Sequence, residues 1–210
     1  MSSGRTPDLT LFLDILRALE DIGAPYVVIG AFAGAMYGAT RATYDIDIIV
    51  DLREEHIRRL AAAYPLPRYY ADPVQMRDSI RLGILFNIID STRGEKADLI
   101  PLTMTLRYRQ VFERRVRQVV GLAGGEALEF WCARPDDVIL GKLMAWQQGR
   151  SHKHELDIRD LLVAHYLDTE PAKTGLLDEA YLDRQASMIG ADAEAFWKAL
   201  KESAQREVGG

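Results

Sequence analysis

The sequence predicts an α/β fold, a mixed β-sheet flanked by helices and followed by a helical C-terminal part. Three observations carry this. Tyr26 to Leu52, YVVIGAFAGAMYGATRATYDIDIIVDL, reads as strand, glycine turn, helix, arginine loop and second strand. Gly83 to Leu102 reads as two apolar runs around the turn Ser91-Thr92-Arg93-Gly94-Glu95, which makes a hairpin. From Pro135 onward the apolar residues recur at helical spacing. The division expected is an α/β core over 1–133 and a helical part over 134–210 packed on it.

Composition narrows the class further. With 210 residues and 48% hydrophobic content the chain buries a sizeable core, which excludes disorder. A formal net charge of −5 argues against a generally basic nucleic-acid-binding surface, while leaving room for a local patch. The single cysteine, Cys132, excludes an intrachain disulfide. No apolar run approaches the length of about eighteen residues that a membrane span needs. The N-terminus lacks the basic-then-apolar layout of a signal peptide, so a cytoplasmic protein is expected.

Taken in order, Leu9, Phe12, Leu13, Leu16 and Leu19 fall at helical spacing in a segment from about Pro7 to Ile22. Thr6 suits its N-cap, Pro7 its first position and Asp8 its positive dipole end, and Gly23 and Pro25 stop it. The strand Tyr26-Val27-Val28-Ile29 then runs into Gly30-Ala31 and an Ala-rich helix to about Tyr37. A helix start after a glycine turn offers N–H groups and a positive dipole end to an anion, which suits phosphate. Arg41 and Thr43 follow, one a charge and the other a hydroxyl.

The second strand, Tyr44 to Val50, carries two acids. Its period of two puts Asp45 and Asp47 on one face and Ile46 and Ile48 on the other. Neighbouring carboxylates repel, and a hard divalent ion such as Mg²⁺ (or Mn²⁺) between them offsets that repulsion. The same alternation also serves as the solvated face of a half-buried sheet.

Glu54 to Tyr64 reads as a helix, with Ile57, Leu60 and Ala61 inward and Pro65 and Pro67 ending it. Arg68 to Arg81 shows mixed polarity and no clear period. In the hairpin that follows, Asp98 lies inside the second arm, whereas Asp90 ends the first arm at the lip of the turn, where an acid commonly serves turn formation. Arg107, Arg109, Arg114, Arg115 and Arg117 form a basic cluster, read either as a solvated face or as a footprint for RNA or polyphosphate.

Gly121 to Gly125 is a turn and Leu128 to Ala133 a further strand, with Cys132 a small core residue. Pro135 to about Gln148 is a helix whose Val138, Ile139, Leu140, Leu143 and Met144 form an apolar face, with Lys142 in their company, a position typical of a snorkelling lysine. His152, His154 and Asp157 lack the i, i+4 spacing of a helical zinc pair, which argues against zinc. Two amphipathic helices, about Thr174 to Ile189 and Asp192 to Arg206, complete the chain.

These residues resemble the nucleotidyltransferase superfold, whose signature is an apolar residue, Gly, then Gly or Ser, followed downstream by Asp-apolar-Asp. Here that is Ile29-Gly30-Ala31 and Asp45-Ile46-Asp47. The resemblance is to minimal bacterial members, including the nucleotidyltransferase toxins of type IV toxin-antitoxin systems, in which a Gly, Arg, Thr run precedes the acids, as Gly38, Arg41 and Thr43 do. It spans Tyr26 to Leu162, and it departs from the pattern at Ala31, which removes a side-chain hydroxyl. It implies metal-dependent transfer of a nucleotidyl group from an NTP to a hydroxyl acceptor.

By the same resemblance Asp45, Asp47 and Asp98 would hold two Mg²⁺ ions, with Asp98 as the base. Gly30, Ala31, Arg41 and Thr43 would hold the nucleotide. Lys142 would contact phosphate and Asp157 would position it, an exposed i, i+3 charge pattern being the plain alternative for Asp157. The acceptors implied are a tRNA end, a protein side chain or a small molecule, and a cognate antitoxin is the implied partner. The rival class is a catalytically inactive nucleotide-binding or protein-interaction module of the same fold.

Overall fold

A mixed sheet dominates the first part of the computed structural model, which describes residues 9–122, 125–167 and 176–209. These residues fall into two compact units, one of Met1–Phe32 and Ala42–Cys132, the other of Ala33–Arg41 and Ala133–Gly210. The mixed α/β class, the flanking helices and the C-terminal helices all agree with the sequence expectation. The stretch Ala33–Arg41 differs from it, belonging with the C-terminal helices.

The first unit contains α1 (Thr10–Asp21), β1 (Tyr26–Ile29), β2 (Asp45–Val50), α3 (Glu54–Ala63), β3 (Tyr69–Tyr70), α4 (Pro73–Leu82), β4 (Phe86–Asp90), β5 (Glu95–Pro101), α5 (Leu106–Glu113), β6 (Val116–Gly121) and β7 (Ala127–Cys132). A six-residue helix, α2 (Gly30–Ala35), carries the chain from one unit to the other. The strand order is β3-β4-β5-β2-β1-β7-β6. The β2–β5 and β1–β7 pairs are parallel and the rest antiparallel.

The core follows from alternation. In β2, Ile46 and Ile48 are fully buried whereas Asp45 and Asp47 are half-buried, and β4 alternates in the same way. Helix α1 packs against β5 and β7 and buries Leu11, Phe12, Ile15, Leu16 and Leu19. Leu11 and Ile15 thus join the face, and Leu13 stands half-buried at its margin. Leu9 stands at the N-cap position without a side-chain cap bond, and the cap expected from Thr6, Pro7 and Asp8 lies outside the described residues. Phe32 closes the top of this core with its ring 6.0 Å from those of Phe12 and Phe130.

Several expectations need correction. The segment Arg68 to Arg81, without a clear period in the sequence, holds β3 and α4. Its helix start is marked by Asp72, whose carboxylate accepts from the Val74 N–H at 2.8 Å, followed by Pro73 at the first helical position. The helix after Gly30 ends at Ala35, short of Tyr37. Two of the five clustered arginines, Arg115 and Arg117, are engaged inside the unit. Arg115 lies over the rings of Phe112 and Trp131, and Arg117 donates to Glu20 at 2.7 Å and to the Glu129 carbonyl at 3.1 Å. Part of the turn expected from Gly121 to Gly125 lies outside the described residues.

The second unit packs α6 (Pro135–Gly149), α7 (His152–Tyr166), α8 (Glu179–Ile189) and α9 (Ala191–Gly209) against one another around Leu143, Ile158, Leu161, Leu162 and Trp197. The helix expected from Thr174 starts at Glu179, with Asp178 accepting from the Tyr181 N–H at 2.8 Å, and residues 174–175 lie outside the described ones. Among the described residues no helix is long and apolar enough to cross a membrane.

Candidate functional site

The acids of the first unit meet through strand register. In the parallel β2–β5 pair Asp45 stands opposite Lys96 and Asp47 opposite Asp98, while in the antiparallel β4–β5 pair Asp98 stands opposite Asn87. Register partners share a face, so Asp45, Asp47, Asp98, Lys96 and Asn87 all project to the same side of the sheet. The hairpin thus delivers the third carboxylate, Asp98, beside the Asp-x-Asp strand. Asp90 is elsewhere and otherwise occupied. It accepts from Arg68 at 3.0 and 3.1 Å and from the Thr92 N–H and hydroxyl at 2.9 and 2.6 Å, so it builds the turn.

Each acid has its own support. The Thr43 hydroxyl donates to Asp45 Oδ1 at 2.8 Å and lies 2.9 Å from the Asp45 carbonyl oxygen. Thr43 therefore orients an acid. Gly30, with φ +69°, lies directly under Asp47, and a Cβ there would come within 2.1 Å of Asp47 Oδ2. The glycine of the signature is thus required twice, by its left-handed backbone and by the carboxylate resting on it.

Asp98 is held most firmly. Lys96 Nζ donates to its two oxygens at 2.9 and 2.8 Å, and the Asn87 amide also donates to Oδ1. These bonds, with the charges of Asp98, Asp45 and Asp47, raise the Lys96 ammonium above the ordinary lysine value. Among the described residues no three Asp, Glu, His or Cys side chains gather closely enough to hold a metal ion. The carboxylates of Asp45 and Asp47, on one face of β2, are hard oxygen donors of the kind a divalent ion takes, whereas Asp98 already has the Lys96 ammonium on both oxygens.

Helix α5 packs near β1, and the Tyr108 phenol on it lies close enough to respond to Arg107 and Asp47. Burial first, and then the Asp47 charge, push that phenol up against the pull of Arg107. Lys96, Asn87 and Tyr108 were not legible as site residues in the sequence. The two-residue spacing of Lys96 from Asp98 on a strand is the one signal that places it on the acid face.

In the second unit Asp157 is the centre of another cluster. Buried on α7, it accepts from Arg41 Nε at 3.0 Å and Nη2 at 3.2 Å and from Lys142 Nζ. Burial raises the Asp157 carboxyl, and the hydrogen bonds of Arg41 and Lys142 outweigh that and hold it below the ordinary value. One turn further along, Asp160 accepts from the Thr40 N–H at 3.0 Å and from its hydroxyl at 2.6 Å. The arginine loop is thus fastened to α7 at two consecutive turns. Lys142 is buried beside this pair, which excludes the snorkelling alternative, and the Asp157 contact likewise excludes an exposed i, i+3 pattern. A Cβ at Gly34 would stand 3.7 Å from Lys142 Cε, an ordinary van der Waals contact, so the Lys142 stem lies alongside this stretch without requiring a glycine. Burial, followed by the charges of Lys153 and Lys142, pushes the His154 imidazole below its ordinary value.

No family model matches the chain, and no curated protein matches it. Among solved structures, the chain is similar to the antibiotic-resistance factor ANT(2'')-Ia, at 18% identity and a TM-score of 0.45, over 86% of this chain and 94% of that one. JHP933 from Helicobacter pylori matches at 14% identity and a TM-score of 0.42, over 94% of this chain and 91% of that one. An antigenic nucleotidyltransferase-like protein from Paracoccidioides brasiliensis matches at 15% identity and a TM-score of 0.47, over 90% of this chain and 91% of that one. Likenesses of this extent say nothing about chemistry, which has to come from the residues themselves.

Proposed function

We propose that the protein is a metal-dependent nucleotidyltransferase, moving a nucleotidyl group from an NTP to a hydroxyl acceptor with release of pyrophosphate. The observation that carries this reading is the register of β2 and β5, which sets Asp47 opposite Asp98 with Asp45 on the same face. Three acids on one side of a largely apolar sheet, one of them resting on a glycine and another oriented by a threonine, are costly unless cations are handled there.

In this reading Asp45 and Asp47 would hold one Mg²⁺ or Mn²⁺, which would supply charge neutralisation to the phosphate oxygens. The acceptor oxygen forms a bond to the α-phosphorus, the bond from that phosphorus to the bridging oxygen of the β-phosphate breaks, and pyrophosphate leaves. Asp98 takes the acceptor's proton and returns it to solvent, once Lys96 gives way at one of its oxygens. The sequence resemblance implies phosphate contacts for the backbone amides of Gly30 and Ala31 and for the side chains of Arg41 and Lys142. Thr43 and Asp157 act through their neighbours, Thr43 on Asp45 and Asp157 on Lys142 and Arg41.

A tRNA end is the acceptor proposed for first trial, because the resemblance is to toxin nucleotidyltransferases, and a cognate antitoxin is the partner that goes with it. One observation favours a second reading, a non-catalytic nucleotide-binding or protein-interaction module: both oxygens of Asp98 are already occupied. Calorimetry with NTP and Mg²⁺, followed by incubation of α-labelled NTPs with total tRNA and with protein extract, separates the two. Label transfer supports the enzyme, binding without transfer supports the module, and absence of nucleotide binding overturns the enzyme and the nucleotide sensor together.

A further inference from the structure

The third acid of the corner carries a cation that belongs to the chain itself. Lys96 is the register partner of Asp45 and lies two residues before Asp98 on the same strand, so its side chain rises between two of the three carboxylates. Its ammonium spans both oxygens of Asp98 at 2.9 and 2.8 Å, and Asn87 donates to one of them. The side chain of Asp98 is 12% exposed, which leaves little room for an incoming ion to approach it from another direction.

Charge and hydration point the same way. Three carboxylates bring three negative charges to the face, Lys96 returns one, and a single divalent ion matches the remaining two. A second divalent ion at Asp98 would have to shed water, which Mg²⁺ does reluctantly, and displace an ammonium that its own chain holds beside Asp98 at high effective concentration. Resting on the nucleotidyltransferase reading, we propose that the Lys96 ammonium stands in for the second metal ion, so that the protein loads one divalent cation, on Asp45 and Asp47, rather than two. Lys96 is thereby a positioning residue for Asp98 and fixes the metal stoichiometry of the site.

The test counts ions. Mn²⁺ is titrated into the full chain in the presence of a non-hydrolysable NTP analogue, with free Mn²⁺ read by electron paramagnetic resonance and the bound spectrum examined for coupling between neighbouring Mn²⁺ ions. The wild type is expected to bind one Mn²⁺ per nucleotide-bound chain without a coupled-pair signal. Lys96→Met, which keeps the apolar stem, is expected to bind two with such a signal, and Lys96→Arg to return to one. The Lys96→Met, Asp98→Asn double variant is expected to lose the second ion again. Because the Lys96 side chain is 47% exposed, these variants are expected to fold, and their circular dichroism checks it. Two coupled ions in the wild type, or one ion in Lys96→Met, overturns the proposal and leaves the transferase reading standing. No bound Mn²⁺ in the wild type overturns that reading, and this proposal with it.

Discussion

Replacing Gly30 by alanine separates the two reasons for a glycine at that position. The backbone sits at φ +69°, and the new Cβ would lie 2.1 Å from Asp47 Oδ2, 3.0 Å from its Cγ and 3.3 Å from its Cβ. A left-handed non-glycine residue costs roughly 1–2 kcal/mol, and the stiffer unfolded chain returns about 0.4–1 kcal/mol, so the backbone share is about 1 kcal/mol. The two shortest contacts fall on a carboxylate that can rotate away and the 3.3 Å contact to the Asp47 Cβ needs only a small shift, so most of the steric share appears in the position of Asp47. Gly94→Ala is the control, because Gly94 has φ +70° and open space around its missing Cβ. Urea unfolding should therefore show similar losses of about 1 kcal/mol for both variants. Mn²⁺ titration should show Gly30→Ala weakened about 10–100-fold, as when a group supporting a ligand is altered, with Gly94→Ala unchanged. Equal Mn²⁺ affinity in Gly30→Ala and the wild type would refute the reasoning, since Asp47 would then not depend on that space.

Other perturbations test neighbouring parts of the structure. Asp47→Asn keeps the shape of the side chain and relieves repulsion among the acids, so its melting temperature in metal-free buffer is expected to stay level or rise slightly while Mn²⁺ binding is lost; a large metal-free destabilisation would assign that carboxylate a structural role instead. Asp157→Ala removes the shared anion and strands buried Lys142 together with Arg41, so a loss of about 3–5 kcal/mol is expected in urea unfolding. Lys142→Met should cost less, because Arg41 keeps both of its bonds to Asp157. Burial raises the Asp90 carboxyl, but the bonds from Thr92 and Arg68 outweigh it and hold the pKa at about 2, below its ordinary 3.8. A depressed carboxyl stabilises the fold above its unfolded pKa and loses that contribution as pH falls toward 2. Acid titration of stability should therefore show a loss of at most roughly 2 kcal/mol between about pH 4 and pH 2, and Asp90→Asn should flatten that limb.

Local signals made much of the fold legible. The alternation of Asp45 to Val50, the hairpin turn at Ser91 to Gly94 and the helical spacing after Pro135 each involve residues a few positions apart, where backbone geometry alone decides which face a side chain takes. The helix start at Asp72-Pro73 was equally local and readable, and it was masked by the polar surface of a helix that buries only Met76 and Ser79 among its ten residues. The capping pattern around Thr6 lies outside the described residues, of which the first helix begins at Thr10.

By itself, the sequence determined the chemical types: two acids in one strand, a third in a hairpin, a glycine before a short helix, and a lysine and an aspartate on later helices. Tertiary structure alone decided their partners. Strand register placed Asp98 beside Asp47 and Lys96 beside Asp45, and helix packing brought Arg41, 116 residues away, and Lys142, 15 residues away, to the same carboxylate of Asp157. The physical reason is that a one-residue slip in register sends every side chain to the other face, and that choice rests on the burial of Ile46, Ile48, Ala97 and Leu99 in a core assembled from distant segments.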